Sequence, residues 1–190
     1  MAKSAAETDH AISTAAFDAV LRLGDVAPHA PDTISNVIYL SILLSPDGDA
    51  LDEIAWLVGR PKQAARASFC AKREPLLENI RHQLTAWFAN PTFTFTLPLA
   101  VPRTAFQAKL RAALCATHHG DTITYGDLAK QLHSAPRAVG QALGSNPLPM
   151  IVPCHRIISA GKNRLTGFDH ASDGPKLTLK AWLLERETRA

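Results

Sequence analysis

Residues 146–158 read Asn-Pro-Leu-Pro-Met-Ile-Val-Pro-Cys-His-Arg-Ile-Ile, and the rest of the chain is best interpreted around them. Proline fixes φ and removes a backbone donor, so the three prolines hold Cys154 at a defined place, at the edge of something buried. The thiolate is the nucleophilic form of cysteine and nearby positive charge favours it, so a thiol beside His155 and Arg156 is a candidate nucleophile. Free cysteines are more often buried and inert, and the triplet alone favours that inert role.

The composition is that of a globular protein with a substantial core. The chain has 190 residues, of which 46% are hydrophobic and 19% charged, enough for one large domain or two small ones. A net charge of +3 permits nucleic-acid binding without arguing for it, because Lys and Arg form no block. The N-terminus has no secretory pattern, and no apolar run is long enough to span a bilayer. Three widely spaced cysteines favour a reducing compartment, so we expect a cytoplasmic protein with no metal site and no membrane association.

The first half of the sequence predicts a β-rich domain over residues 1–100. Alternating apolar residues favour a strand at 17–23, and a segment with glycine and two prolines favours a loop at 24–32. Turn residues between two apolar runs predict a hairpin over 37–58. Helical spacing at 74–88, followed by strict alternation at 92–99, predicts one helix and one extended segment.

The second half predicts a mostly helical domain over residues 101–190, which makes the fold class α+β. A helix is expected over 104–116. Thr124 begins the next with a capping box, Ser134 is expected to cap a third, and a last helix is expected over 177–186. The second and third of these helices form a helix-turn-helix candidate.

The third helix has small outer residues, Ala138, Gly140 and Ala142, with Arg137 at its start. A helix that reads the major groove usually presents long polar side chains. Small residues suit close approach to a DNA backbone or a narrow groove, but they suit tight packing against another helix equally well.

Ordered blocks through the second half give the sequence a specific resemblance. Residues 103–187 resemble the O6-alkylguanine-DNA alkyltransferases, also called methylated-DNA–protein-cysteine methyltransferases. The blocks that carry the resemblance are Thr104–Gln107, Ile123–Ala129, Arg137–Gly140, Asn146-Pro147, Pro153–Ile157, Leu165–Phe168, Lys180–Leu184 and Glu187. The resemblance implies a ribonuclease H-like sheet plus helix in the first domain, and a helix-turn-helix of the winged-helix type in the second.

The resemblance also implies a reaction. Cys154 would take the alkyl group from the O6 atom of a guanine flipped out of the duplex, or from O4 of an alkylthymine, once and irreversibly. His155 would accept the thiol proton through a water, Glu187 would orient His155, Tyr125 would donate to the leaving guanine, and Asn146 would stabilise the bend before the thiol. The reaction needs no cofactor.

The resemblance further implies that a monomer binds double-stranded DNA through the minor groove, with Arg137 filling the space of the flipped nucleotide. Residues 169–176 replace the short glycine-rich loop of the family, and Phe168 stands where tyrosine is common, so the range of alkyl groups stays open. Arg156 is expected to be structural. The expected DNA-binding residues are Thr124, Tyr125, Arg137, Ala138, Gly140 and Gln141, and the expected pocket residues are Pro149, Val152, Ser159, Gly167, Phe168 and Lys180.

Two other functions fit parts of the pattern. One is a sensor that binds alkylated DNA without transferring the group, although relatives of that kind lack the nucleophile that Cys154 supplies. The other is a cysteine hydrolase that uses Cys154 and His155, although adjacent residues cannot easily face each other and no hydrolase signature surrounds them.

Overall fold

A three-stranded antiparallel sheet forms in the first half of the chain, in the order β1-β2-β3. A computed structural model describes residues 17–61, 73–161 and 165–189. The strands are β1 (Ala19–Arg22), β2 (Ile38–Leu44) and β3 (Leu51–Val58), so the hairpin predicted over 37–58 is confirmed. Ser45 closes its turn by donating its N–H to Ala50 O at 2.8 Å, and Gly48 supplies the positive φ of 74° that the turn requires.

The connection between β1 and β2 is more ordered than the predicted loop at 24–32. It contains two single-turn helices, α1 (Leu23–Val26) and α2 (Asp32–Ser35). Apolar burial explains the difference, because Leu23, Val26 and Ile34 are at most 1% exposed and draw the backbone into the core. The strand expected at 17–23 is shorter for the same reason.

The helix predicted at 74–88 is confirmed as α3 (Glu74–Ala89). Its buried Gln83 fastens the extended segment that follows: Nε2 donates to Thr96 Oγ1 at 3.0 Å, and Thr96 N donates to Gln83 Oε1 at 2.9 Å. Trp87 and Phe88 present the aromatic end of the helix to the second half of the chain, where they lie against His155 and Trp182.

Four longer helices and a pair of two-residue strands build the second half. The helices are α4 (Ala105–Cys115), α5 (Tyr125–Gln131), α6 (Pro136–Gly144) and α7 (Gly174–Thr188), and the parallel strands are β4 (Ile123–Thr124) and β5 (Ile157–Ile158). Thr104 and Thr124 cap α4 and α5 with their side chains, at 3.1 Å from Gln107 N and Asp127 N respectively.

The prediction that Ser134 caps α6 is wrong. The N-cap is Ala135, whose extended φ and ψ of −93° and 145° are those that a following proline imposes. Helix α7 also begins three residues earlier than predicted, at Gly174, where Pro175 fits the first turn.

One hydrophobic core runs through both halves of the described chain. Backbone bonds cross between them as well, since Ile54 N donates to Pro147 O at 2.8 Å. The boundary near residue 100 therefore stays a prediction. Within the described segments, no helix is long and apolar enough to cross a membrane.

Candidate active site

The bend before the thiol is held by the Asn146 side chain. Its Nδ2 donates to Val152 O at 3.0 Å, and its Oδ1 accepts from Leu148 N at 3.2 Å. Both ends of the loop are thus tied to one residue, with Met150 at a φ of 71° between them. The chain then enters a single 3-10 turn, Cys154–Arg156, which places three consecutive polar side chains in the interior.

Cys154 lies at the wall of a cavity of about 230 Å³ and is 9% exposed. Helix α6 forms one side of this cavity and the segment after β5 forms the other. The remaining lining residues are Tyr125, Gly140, Leu143, Gly144, Gly167, Phe168, Asp169, His170, Ala171 and Ser172. A buried nucleophile that still borders a cavity can be reached by a small planar ligand.

Burial raises the pKa of the Cys154 thiol to about 11. The hydrogen bond from Asn146 and the Lys180 ammonium oppose this shift, while the Asp169 carboxylate adds to it. The thiol is therefore protonated at neutral pH, and any reaction through sulfur needs a group that accepts its proton.

A fully buried pair lies behind the thiol. His155 Nε2 and Glu187 Oε1 are 2.9 Å apart, and both side chains are 0% exposed. Burial lowers the pKa of His155, so the imidazole is neutral. Its other nitrogen, Nδ1, is buried and has no hydrogen-bond partner among the described residues, which leaves it able to accept a proton.

Glu187 is ionised in spite of its burial. Burial alone would raise its pKa, but hydrogen bonds from His155 and Arg156 lower the pKa to about 2. Arg156 contacts both carboxylate oxygens, at 2.8 and 2.9 Å. A neutral imidazole bound to a carboxylate is the arrangement of a base with its orienting group.

Tyr125 begins α5 and reaches into the cavity between α6 and the loop before Phe168. Its ring lies 3.9 Å from the position that a Cβ on Gly140 would take, and its hydroxyl lies 3.5 Å from Thr166 O. Burial, followed by the nearby Cys154, raises the pKa of the phenol, which therefore stays a donor.

Lys180 lies beneath the same loop and is 1% exposed. Its ammonium donates to the carbonyls of Ile157, Gly167 and Thr166 at 2.6, 3.0 and 3.3 Å. Burial lowers its pKa to about 8. Ser159 is hydrogen-bonded through its hydroxyl to that of Thr166, so Lys180 and Ser159 support the pocket from behind.

The structure separates the predicted pocket residues. Gly167 and Phe168 line the cavity beside Cys154, whereas Ser159 and Lys180 lie behind its wall. Pro149 and Val152 are buried and bridge each other within the bend. Val152 lines a different, smaller cavity of about 30 Å³.

The predicted DNA-binding residues share one region of the surface. Arg137, Ala138 and Gln141 are exposed on α6, while Gly140 is half-buried at the cavity. The hydroxyl of Thr124 is already used to cap α5. The exposed face of α6 therefore borders the mouth of the cavity that contains the thiol.

Two features of the site were not predicted. The first is the segment Thr117–Gly120, which contacts Arg156 and Glu187 from the end of α4. The second is a two-residue turn, in which Phe168 and Ala171 exchange backbone hydrogen bonds of 2.9 Å around Asp169 and His170. The first depends on contacts with distant residues, and the second has Asp-His in place of the Asn-Gly pair that usually marks such a turn.

The sequence is similar to those of known proteins. Residues 105–189 match the family model described as the DNA-binding domain of 6-O-methylguanine DNA methyltransferase. The methylated-DNA–protein-cysteine methyltransferase of Methanosarcina mazei is 36% identical over 149 residues, which cover 77% of this chain and 92% of that protein. The constitutive enzyme of Bacillus subtilis is 44% identical over 119 residues, covering 61% and 68%. This chain belongs to the methylated-DNA–protein-cysteine methyltransferase family.

Solved structures agree with this assignment. A crystal structure of Mycobacterium tuberculosis OGT in complex with DNA is similar with a TM-score of 0.59 and 31% identity, covering 80% of this chain and 87% of that one. An O6-methylguanine DNA methyltransferase from Methanococcus jannaschii is similar with a TM-score of 0.57 and 28% identity, covering 80% and 90%. The family, the enzyme class and the α+β fold predicted from the sequence are confirmed.

Proposed function

We propose that this methyltransferase repairs DNA by direct reversal, with Cys154 as the acceptor of an alkyl group from O6 of guanine. The observation that carries the proposal is the position of Cys154 at the wall of a cavity, followed directly in sequence by His155, which is paired in the interior with Glu187. O4-alkylthymine presents an equivalent alkyl ether and is a second substrate.

The transfer is one displacement at carbon. The sulfur of Cys154 attacks the alkyl carbon, a sulfur–carbon bond forms, and the bond from that carbon to O6 breaks. The thiol proton passes through a water to Nδ1 of His155, which is the buried nitrogen with no partner among the described residues. The guanine leaves as an anion unless a donor meets it, and Tyr125 is the protonated donor at the cavity. The thioether is stable, so each molecule acts once.

Base flipping brings the substrate to the thiol. An O6-alkyl group lies inside the duplex stack, and extrusion of its nucleotide costs a few kcal/mol, less for a damaged pair. The small residues on the outer side of α6, of which Ala138 is exposed and Gly140 half-buried, let that helix approach the minor groove closely, and Arg137 fills the space left in the stack. The cavity at the inner side of α6 then receives the base.

We also propose the finer architecture that the family resemblance implies. The sheet with α3 forms a ribonuclease H-like scaffold domain over residues 1–100, and α5 with α6 forms a helix-turn-helix of the winged-helix type within 101–190. The protein works as a monomer in the cytoplasm. It needs no cofactor or metal.

The test is the transfer of label from DNA to protein. A duplex with O6-[methyl-labelled]guanine is mixed with the wild type, with Cys154→Ala, and with Cys115→Ala as the matched control at the other described cysteine. We expect one label per protein molecule on Cys154, no label on Cys154→Ala, and full labelling of Cys115→Ala.

The other functions give different results. Binding of the alkylated duplex with no transfer by the wild type would identify a sensor. Repeated turnover of an ester or amide that depends on Cys154 would identify a hydrolase. Either result would reject the proposal.

A further inference from the structure

Arg156 is the third member of the buried group behind the thiol. Its guanidinium forms a two-pronged contact with Glu187, from Nε to Oε2 at 2.8 Å and from Nη2 to Oε1 at 2.9 Å. Arg156 is 5% exposed. A guanidinium that holds both oxygens of a carboxylate fixes its orientation as well as its charge.

The other donors of Arg156 contact the segment Thr117–Gly120. Nη1 donates to Thr117 O at 2.7 Å and to Thr117 Oγ1 at 2.8 Å, and Nη2 lies 3.1 Å from His119 Nδ1. The guanidinium therefore has a polar partner within hydrogen-bond distance for each of its five N–H groups. Gly120 N adds a contact of 3.4 Å to Glu187 Oε2 from the same segment. Arg156 is thus held rigidly from both sides.

We infer that Arg156 is a positioning residue for alkyl transfer, which fixes Glu187 so that Oε1 accepts the proton on Nε2 of His155. This inference rests on the proposed function. With its proton on Nε2, the neutral imidazole has a free lone pair on Nδ1, which is the tautomer that can accept the thiol proton. Arg156 touches neither the thiol nor the cavity, so it acts only through Glu187 and His155.

Electrostatics leads to the same role. Because burial keeps His155 neutral, the permanent positive charge beside Glu187 is that of Arg156. Without that charge, burial would raise the pKa of Glu187 from its value of about 2. A protonated Glu187 would donate to Nε2 of His155 and move the imidazole proton to Nδ1. Among the described residues, the groups that face the carboxylate are His155, Arg156, His119 and the Gly120 amide.

The experiment measures single-turnover methyl transfer from an O6-methylguanine duplex as a function of pH, with duplex binding measured separately. For Arg156→Gln we expect a rate constant lower by about 10²-fold, unchanged duplex affinity, and an acidic limb moved to higher pH. Arg156→Lys keeps the positive charge but loses the two-pronged contact with Glu187. The acidic limb of its pH–rate profile should therefore stay near that of the wild type, while its rate constant for transfer falls. Arg111→Gln is the matched control, since Arg111 donates to Ala100 O at 2.9 Å outside this group.

A double variant protects the test against misfolding. Arg156→Gln/Glu187→Gln removes both charges and leaves no buried charge without a partner. If Arg156 acts through Glu187, the double variant transfers as slowly as Glu187→Gln and no more slowly. A further loss in the double variant, or equal losses of binding and transfer in Arg156→Lys, would overturn the inference. Absence of transfer by the wild type would instead reject the proposed function.

Discussion

The imidazole of His170 packs against the last residue of α6, Gly144, so closely that a Cβ on Gly144 would lie 2.7 Å from the ring. His170 belongs to the turn Phe168–Ala171, whose central residues Asp169 and His170 have φ values of 48° and 61°. Two positive φ values are those of a type I′ turn, which usually contains Asn-Gly. The wall of the cavity is therefore a turn in an unfavourable conformation, held by its contacts with α6 and by Lys176, whose ammonium lies 2.5 Å from Asp169 Oδ2.

Gly144→Ala should destabilise the wild-type protein but not the variant His170→Ala, which lacks the imidazole ring. With His170 present, the new methyl overlaps the imidazole, and we expect a loss of about 1–3 kcal/mol in the free energy of unfolding. In His170→Ala the methyl has space, and helix propensity predicts a gain of up to about 1 kcal/mol. Urea denaturation of the four proteins gives the coupling energy. Equal effects of Gly144→Ala in both backgrounds would show that the ring does not pack there in solution.

Asp169 and Lys180 should move the pKa of Cys154 in opposite directions. The Asp169 carboxylate raises that pKa and the Lys180 ammonium lowers it. At a pH below about 8, where the Lys180 ammonium keeps its charge, Asp169→Asn should therefore increase the thiolate fraction of Cys154, and Lys180→Met should decrease it. The measurement is the rate of iodoacetamide modification of Cys154 against pH, in proteins without the other two cysteines.

The exposed Asp173 provides the control for this pair, because Asp173→Asn changes the same loop without a charge beside the sulfur. Shifts of the same sign in Asp169→Asn and Lys180→Met would contradict the electrostatic account. Lys180→Met loses three hydrogen bonds to carbonyls, so its modification rate is compared only under conditions where its thermal transition shows that it is folded.

Local chemistry explains which parts of the fold could be predicted. The cap at Thr124 depends on a residue three positions away, and the hairpin depends on a turn between two apolar runs, so both are visible in sequence. The error at Ser134 came from giving the side-chain cap more weight than Pro136, which restricts Ala135. The helical turn at Leu23 was missed because turn-forming residues nearby hide the burial of its apolar side chains.

The residues of the site also differ in whether they could be predicted from sequence. Cys154 and His155 are adjacent in sequence, and the resemblance supplied Glu187. The contacts of Arg156 were not predicted, because its partners Thr117, His119 and Glu187 lie 31 to 39 positions away and only tertiary packing brings them together. The contact of His170 with Gly144 was missed for the same reason.

Glu187 should make the fold sensitive to acid. Its folded pKa of about 2 lies below its ordinary value of 4.5, so its contribution to stability is complete above pH 4.5. The contribution is lost as pH falls towards 2, and it is of the order of 3 kcal/mol. We expect the free energy of unfolding of Glu187→Gln to depend less on pH in this window than that of the wild type.

Urea denaturation at several pH values between 5 and 2 measures this difference. Glu185→Gln is the control, because Glu185 is an exposed carboxylate of the same helix that lies outside the buried group. Parallel curves for the wild type and Glu187→Gln would show that the pKa of Glu187 is not lowered by its buried partners.

Arg137→Ala should impair the flipping of the nucleotide out of the duplex but not the alkyl transfer itself. Arg137 is exposed at the start of α6 and away from the buried group, so its removal should change the free energy of unfolding by less than about 0.5 kcal/mol. If Arg137 fills the space of the flipped nucleotide, its loss should slow transfer from a duplex on the order of 10- to 100-fold, because unstacking costs a few kcal/mol. Transfer from free O6-methylguanine, which needs no flipping, should be unchanged.

The base opposite the alkylated guanine should change the size of this effect. A mismatched partner base makes extrusion cheaper, so the loss in Arg137→Ala should be smaller when the alkylated guanine lies opposite a mismatch. Arg81→Ala is the control, since Arg81 is an exposed arginine of α3 that pairs with Glu78 and lies outside α6. Equal losses with the free base and with the duplex would place Arg137 in the chemistry of transfer, and equal losses for Arg81→Ala would reduce its role to general attraction of phosphate.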